Sequence, residues 1–449
     1  MSLPYAVELG LRGMRRHPRT VLLAVLTLAL GLASVMTMLT LQAMLSADPL
    51  PGLSQQLYLG WVDSRQIARQ DDPIARQDDP DAGEPPQALW KLDDATAFMA
   101  TLPQVRQAAL TLSTFDVSDQ ARTRHQQAYA ISALGPMPAL FGLPLRSGRY
   151  WTDAEERNRA PVAIISHALS LKLLGSENGV GRQIRLGKQL FQVVGISDDW
   201  RPRPAFYFLN GPEAAWQQYP LEVFVPARAA LDADAKPGFV QDCDDTGHAG
   251  VRFNELDLGA CRWLMLWAQL STPVQVNAYR DALSAFAQAR HADGVFQRAP
   301  QVALYGVAEW LARNRVVPDS VRLNVWLALA LLGLCIVNVA GLLAARFLRR
   351  SAEFGVHRVL GAPRAAVFVR CLTEAGAIGL LGGVLALPAT LFGLWIVRMQ
   401  AETYSDLARF QPSLFLAMVA LAIGTGLLVG LLPAWRAALL QPALQVKSL

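Results

Sequence analysis

Four apolar runs, residues 21–45, 325–347, 372–397 and 413–432, limit what this chain can fold into more than any other feature of it. An α-helix rises about 1.5 Å per residue, so crossing a hydrocarbon core about 30 Å thick takes roughly 20 apolar residues. Each run has that length, and each is expected to span a membrane as a helix that satisfies its own backbone polar groups. The spacing is lopsided, with one run near the start, three near the end, and residues 46–320 between them. The chain of 449 residues is 52% hydrophobic and 17% charged, too apolar for an ordinary soluble protein and too polar to be buried in a membrane throughout. The expected fold class is therefore membrane α-helical, with four transmembrane helices in a one-plus-three layout and a large extracytoplasmic α+β region.

Arginine placement sets the expected orientation. Arg12, Arg15, Arg16 and Arg19 precede the first run, and Arg346, Arg349, Arg350, Arg358, Arg364 and Arg370 surround the loop between the second and third. Between the third and fourth, Arg398 and Arg409 are offset by Glu402 and Asp406. Basic residues concentrate on the cytoplasmic side of spans. Both termini, including the tail 433–449, and the 348–371 loop are thus expected inside; the short 398–412 loop and the 46–320 region are expected outside. The net charge of +5 marks these inner flanks and calls for no nucleic acid. The first apolar run is longer than a signal-peptide core and no clear small-x-small site follows it, so it is expected to stay as an anchor. Within 1–20, Val7, Leu11 and Met14 share one helical face and Glu8, Arg12, Arg15 and Arg16 the other. That is the pattern of a helix lying on a membrane surface.

Between the second and third runs, residues 349–364 can form one short charged helix. Ser351 suits an N-cap, and Glu353 falls in the first turn, where the positive helix end favours an acid. Val356, Val359 and Leu360 give a narrow apolar edge, His357 and Arg358 face elsewhere, and Gly361 followed by Pro363 makes a stop. The stretch is either a plain positive loop or the place where function is transmitted through the membrane.

The outer region alternates strand and helix signals. Strands are expected at 56–62, 108–115, 127–134, 162–165, 263–270 and 302–305, with a hairpin at 183–186 and 189–194 around Gly187-Lys188. Helices are expected at 92–99, 168–174, 274–290 and 307–315. An exact tandem repeat, Ile-Ala-Arg-Gln-Asp-Asp-Pro at 67–73 and again at 74–80, is too short for a solenoid and too polar for a core. About 202–259 is expected to be irregular. The mixture predicts an α+β body with an inserted lobe at about 200–260. Cys243 and Cys261 lie outside, where a disulfide persists if the two meet; Cys335 and Cys371, in or beside spans, are expected to be packing residues.

Catalytic chemistry finds no constellation here. His125, His167, His248 and His291 belong to no metalloprotease motif, and no Gly-x-Ser-x-Gly elbow exists. Cys243, Asp244, Asp245 and His248 match no strong zinc spacing, so no metal site is expected. Gly181 through Gly187-Lys188 has one residue too many between its glycines for a phosphate loop. The chain is therefore not expected to be an enzyme or to bind a cofactor itself. Inside the spans, Ala375, Gly379 and Gly383, and Gly426 and Gly430, recur at four-residue steps that allow close helix approach, within one subunit or between two. Asn338, mid-span, is expected to hydrogen-bond to a neighbouring helix.

Together these residues resemble one family. Glu353-Phe-Gly-Val-His-Arg-Val-Leu-Gly-Ala362, the close Leu432-Pro-Ala-Trp-Arg-Ala-Ala438 with Gln441-Pro442, and the basic start Arg15-Arg-His-Pro-Arg-Thr20 resemble MacB/FtsX-type ABC transporter permeases. Phe141-Gly-Leu-Pro-Leu-Arg-Ser-Gly-Arg149, Pro161-Val-Ala-Ile-Ile-Ser166 and Gly179-Val-Gly-Arg182 through Val194-Gly195 are similar to the MacB-type periplasmic core domain. The likeness is weak over about 64–90 and 200–260.

The resemblance implies a permease of the bacterial inner membrane with a periplasmic body of two lobes, one of them porter-like. It implies a second permease copy or paralogue and two copies of a separate ABC ATPase, through which ATP acts. Arg349, Glu353, Phe354, Gly355, Arg358, Gly361 and Ala362 would then form the ATPase joint, with His357 standing where arginine is common. Export by mechanotransmission is the leading function, with a periplasmic adaptor and an outer-membrane duct as further partners. An FtsX-like permease that activates a cell-wall hydrolase and a lipoprotein-releasing permease are the alternatives. A membrane-anchored outer-face enzyme or sensor is the rival from another class.

Overall fold

The computed structural model describes residues 18–64, 88–216, 219–240, 243–244, 258–350, 356, 363–399 and 412–439. The expected surface helix before residue 18, the repeat at 67–80 and the tail after 439 lie outside the described residues. The chain forms two compact units, Met1–Ser46 with Val317–Leu449, and Ala47–Val316.

Helix α1, Pro18–Leu45, belongs to the first unit. The second unit follows as β1 (Leu57–Val62), α2 (Leu92–Thr101), β2 (Gln107–Asp119), β3 (His125–Leu134), α3 (Met137–Leu140), β4 (Leu145–Gly148), α4 (Asp153–Arg157), β5 (Val162–Ser166) and α5 (His167–Leu174). It continues with β6 (Gln183–Leu186), β7 (Gln189–Ser197), β8 (Leu221–Pro226), α6 (Ala227–Asp232), β9 (Lys236–Pro237), β10 (Met265–Gln269), α7 (Pro273–Ala292), β11 (Val302–Gly306) and α8 (Val307–Arg313).

Among the described residues the strands join in the order β11-β1-β10-β2-β3-β8-β5-β7-β4, and β9 pairs with β2. β6 pairs with both β2 and β7, so β2-β3-β8-β5-β7-β6 closes on itself as a ring. Closure leaves these strands without a free edge. The ring is filled by Phe115, Val117, Ile165, Ile184, Phe191 and Val223, all buried. The open part, β11-β1-β10-β2, has its own core with α2 and α7 around Trp90, Phe98, Tyr279 and Leu283. There the Tyr279 hydroxyl donates to Gln107 Oε1 at 3.0 Å, and burial raises its pKa. The long β2 serves both cores.

Local sequence explains the elements. Pro273 begins α7 behind Thr272, whose hydroxyl accepts from Gln275 N while Gln275 reaches back to Thr272 N. That reciprocal cap satisfies two amides the helix leaves open. The β6–β7 turn needs Gly187, which has φ of 54° and faces the Ala233 carbonyl where a Cβ would clash.

One expectation needs correction. Leu221–Pro226, inside the stretch read as irregular and assigned to an inserted lobe at about 200–260, is a buried strand between β3 and β5. That strand belongs to the ring, most of whose strands come from 107–197. Both faces of β8 are buried, so it lacks the alternation that marks a half-exposed strand.

The first unit is completed by α9 (Asp319–Arg349), α10 (Arg364–Met399) and α11 (Pro412–Leu439). Among the described residues, α1, α9 and α10 are long and apolar enough to cross a membrane. Gly382 of α10 lies against Leu28 and Gly393 against Thr37, so α1 and α10 run parallel. Ala375 lies against Gly430 and Gly379 against Gly426, so α10 and α11 run antiparallel. A methyl at Gly426 would sit 2.6 Å from Gly379 Cα, which is why both positions are glycine.

Candidate functional site

The end of α9 and the beginning of α10 flank the 350–363 stretch and carry the most buried charge of the helical unit. Arg346 and Arg350 are four residues apart, as are Arg370 and Glu374, so each pair shares one helix face. Glu374 Oε1 lies 2.6 Å from Arg346 Nη2, and Oε2 lies 3.4 Å from Arg350 Nη1. Glu374 is 1% exposed, Arg370 5%, Arg346 7% and Arg350 8%. Leu343, Phe347, Val367 and Cys371 are buried on the same two helices. Charge set among apolar residues persists only when paired, and a carboxylate that offers one oxygen to each of two guanidiniums meets that condition.

Arg349, expected in the joint, is exposed at the last turn of α9. Glu353, Phe354, Gly355, Arg358, Gly361 and Ala362 lie outside the described residues; Val356, between them, is helical and exposed. Gly379 and Gly383 are buried in α10, and Gly379 serves contact with α11 of the same chain. Asn338 differs from expectation. It lies on the outer side of α9, exposed and without a side-chain hydrogen bond to any described residue, among Leu334 (59% exposed) and Val337 (67%). The neighbours of α9 lie on its other face, where Leu332, Cys335 and Val339 are buried.

From the sequence, Arg346, Arg350 and Arg370 mark orientation alone, and Glu374 carries no expected role. The available signal was one acid in the otherwise uncharged 372–397 run, at helical spacing from Arg370.

The αβ unit holds a second cluster. Cys243 and Cys261 form a disulfide. Next to them Asp244 pairs with Lys91 and, at 3.1 Å, with Arg262, whose Nε donates to Ser64 Oγ at 2.9 Å. Ser64, Lys91, Asp244 and Arg262, distant in sequence, thus meet beside the disulfide. Cys243 and Asp244, weighed as metal ligands from the sequence, are thus engaged elsewhere, and no described group of His, Cys, Asp and Glu is placed to hold a metal.

Comparison with known proteins matches both units. The profile of the MacB-like periplasmic core domain matches residues 21–286, and that of the FtsX-like permease C-terminal matches residues 325–442. The macrolide export ATP-binding/permease protein MacB of Nitrosomonas europaea is 24% identical over 341 residues, 74% of this chain and 45% of that protein. The pyoverdine export ATP-binding/permease protein PvdT of Pseudomonas fluorescens is 26% identical over 375 residues, 81% of this chain and 49% of that protein. The chain thus spans about half the length of these relatives. Among solved structures, the periplasmic region of MacB from Actinobacillus actinomycetemcomitans is 13% identical, covering 57% of this chain and 92% of that one, with a TM-score of 0.34. With a MacB-like core domain followed by an FtsX-like helical end, the chain belongs to the MacB/FtsX-type ABC transporter permeases.

Proposed function

We propose that this chain is the permease subunit of a MacB-like ABC transporter that works in export. The observation that carries this reading is the gathering of the α9 and α10 ends, on either side of 350–363, around one buried carboxylate. Parallel α1 and α10 with antiparallel α11 support a four-span bundle with both termini on one side, which the arginines assign to the cytoplasm. The 46–320 region then stands in the periplasm. A partner ABC ATPase, present as two copies, binds the 348–371 loop and supplies the ATP chemistry; Arg349, Glu353 and Arg358 dock it, Phe354, Gly355 and Ala362 complete the contact surface, and Gly361 ends the coupling helix. Closing of the ATPase pair moves α9 and α10, and those helices move the outer lobes. Substrate is displaced by the lobes, with a periplasmic adaptor and outer-membrane duct receiving it.

A second permease, identical or paralogous, covers the outer side of α9. Exposed Asn338 amid apolar neighbours supports this, because an amide facing lipid gains a hydrogen bond when another helix covers it. The printed names of the relatives, which specify macrolide and pyoverdine export, support export as the class of work.

Affinity capture of the full chain from cross-linked native membranes tests the reading. An ABC ATPase together with a periplasmic adaptor is the expected result. An ATPase with a cell-wall hydrolase would replace export by signalling, an ATPase with lipoprotein cargo would replace it by lipoprotein release, and no ATPase at all would overturn the proposal.

A further inference from the structure

In the helical unit α1 packs on both α9 and α10, and α11 does the same from the other side. The α9 and α10 backbones make no comparable approach to each other among the described residues. These two helices, which the coupling stretch joins in sequence, therefore stand diagonally in the bundle. Long side chains bridge the diagonal, with Arg346 and Arg350 reaching from α9 to Glu374 on α10. Counting back from Gly382, which faces Leu28, Glu374 stands near the level of the first turn of α1.

Because the α9 and α10 backbones make no close approach among the described residues, apolar packing between them sets their register only weakly. A carboxylate held by two guanidiniums one turn apart does fix it. Sliding α9 by one turn, about 5.4 Å, would break at least one of these two ion pairs while its groups stay buried. Register control is the best-attested use of such buried ionic groups.

We infer that Glu374 is a positioning residue of the coupling joint, locking the register of α9 against α10 so that a push on the stretch between them is delivered to both helices at once. The inference rests on the reading of the 348–371 loop as the ATPase joint. It predicts that neutralising Glu374 uncouples the helices without removing any residue that touches the partner.

Cys371 reports on the lock. It is 1% exposed, three residues from Glu374 on the same helix, and with Cys335→Ala it is the one thiol outside the disulfide. The test uses the full chain in membrane vesicles and measures alkylation of Cys371 by N-ethylmaleimide. Glu374→Gln should speed alkylation at least about tenfold, since losing a buried pair raises the population of locally opened states. The inverted variant Arg346→Glu, Arg350→Glu, Arg370→Glu, Glu374→Arg reverses all four buried charges and should restore slow alkylation, which separates loss of the lock from general misfolding. With the ATPase captured by the wild-type chain, Glu374→Gln should lose most of the chain-dependent ATP hydrolysis and the inverted variant should regain it.

Wild-type alkylation rates in Glu374→Gln, or rapid alkylation in the inverted variant, would overturn the lock. Rapid alkylation of Glu374→Gln with full ATP hydrolysis would overturn its role in coupling. If the wild-type chain itself fails to change ATP hydrolysis, the proposed function fails and the coupling role falls with it, while the alkylation rates still decide the lock.

Discussion

In the αβ unit, pairs such as Arg149–Glu155 and Arg159–Asp232 tie neighbouring elements at the rim, and their arginines are 54% and 52% exposed. In the helical unit the arginines that meet Glu374 are 7% and 8% exposed. The same chemistry does different work in the two places. Water screens the rim pairs, which contribute little to stability and mainly keep ends from fraying. The buried bridge cannot be exchanged for water, so it discriminates sharply between helix registers. The αβ unit also holds buried charge, with Arg262 4% exposed in its pair with Asp244 and Asp94 2% exposed beside Arg290, but there the Arg262 pair sits next to a covalent tie, the disulfide, which the helical bridge lacks among the described residues.

The largest effect that tests this contrast is expected at Glu374. Glu374→Ala leaves Arg346 and Arg350 buried without the carboxylate and should cost about 3–5 kcal/mol, measured by unfolding the helical unit in mixed micelles. A cost near that of Arg159→Ala, ~0–1 kcal/mol for a rim pair, would erase the contrast. Next comes the disulfide, whose cysteines are 18 residues apart. Replacing both cysteines by serine should cost about 2–4 kcal/mol and open the chain near Ser64 and Lys91 to limited proteolysis. Gly426→Val forces α11 off Gly379 and should cost about 1–3 kcal/mol, visible as a lower melting temperature of the full chain.

The smallest effect concerns the rim. The Arg149 hydrogen bond lowers the Glu155 pKa from 4.5 to about 2, helped by the Thr152 amide and hydroxyl at the start of α4. A carboxyl lowered by folding stabilises the fold above its unfolded pKa and loses that contribution as pH falls through the folded one. Stability near pH 7 should therefore drop by no more than about 1 kcal/mol in Glu155→Gln, after allowance for screening. The difference between variant and wild type should vanish as pH falls from about 4.5 to about 2.

Much of the architecture is legible in the sequence because it is local. Helical and alternating periodicities, the Gly187 turn and the long apolar runs each announce an element within a few residues of their own position. Closure of the ring is not legible, because it depends on β6 meeting β2 across more than sixty residues of chain, and no local pattern encodes that pairing. β8 is hidden for a different reason, since burial on both faces erases its alternation. The site shows the same divide. The helix spacing of Arg346, Arg350, Arg370 and Glu374 can be counted, but which faces meet is set by how α1 and α11 hold α9 and α10. Asn338 stays exposed because helical phase sets it off the buried stripe, about 60° from Cys335 and about 100° from Val339.

The central claim is that 348–371 receives work from a partner ATPase. The measurement that tests it most directly is ATP hydrolysis by the captured ATPase, with the full chain in lipid nanodiscs, comparing wild type with Glu353→Arg and Arg358→Glu. The account predicts that the wild-type chain changes the hydrolysis rate and that both charge reversals remove that change while leaving the chain assembled. A rate indifferent to both reversals would contradict it.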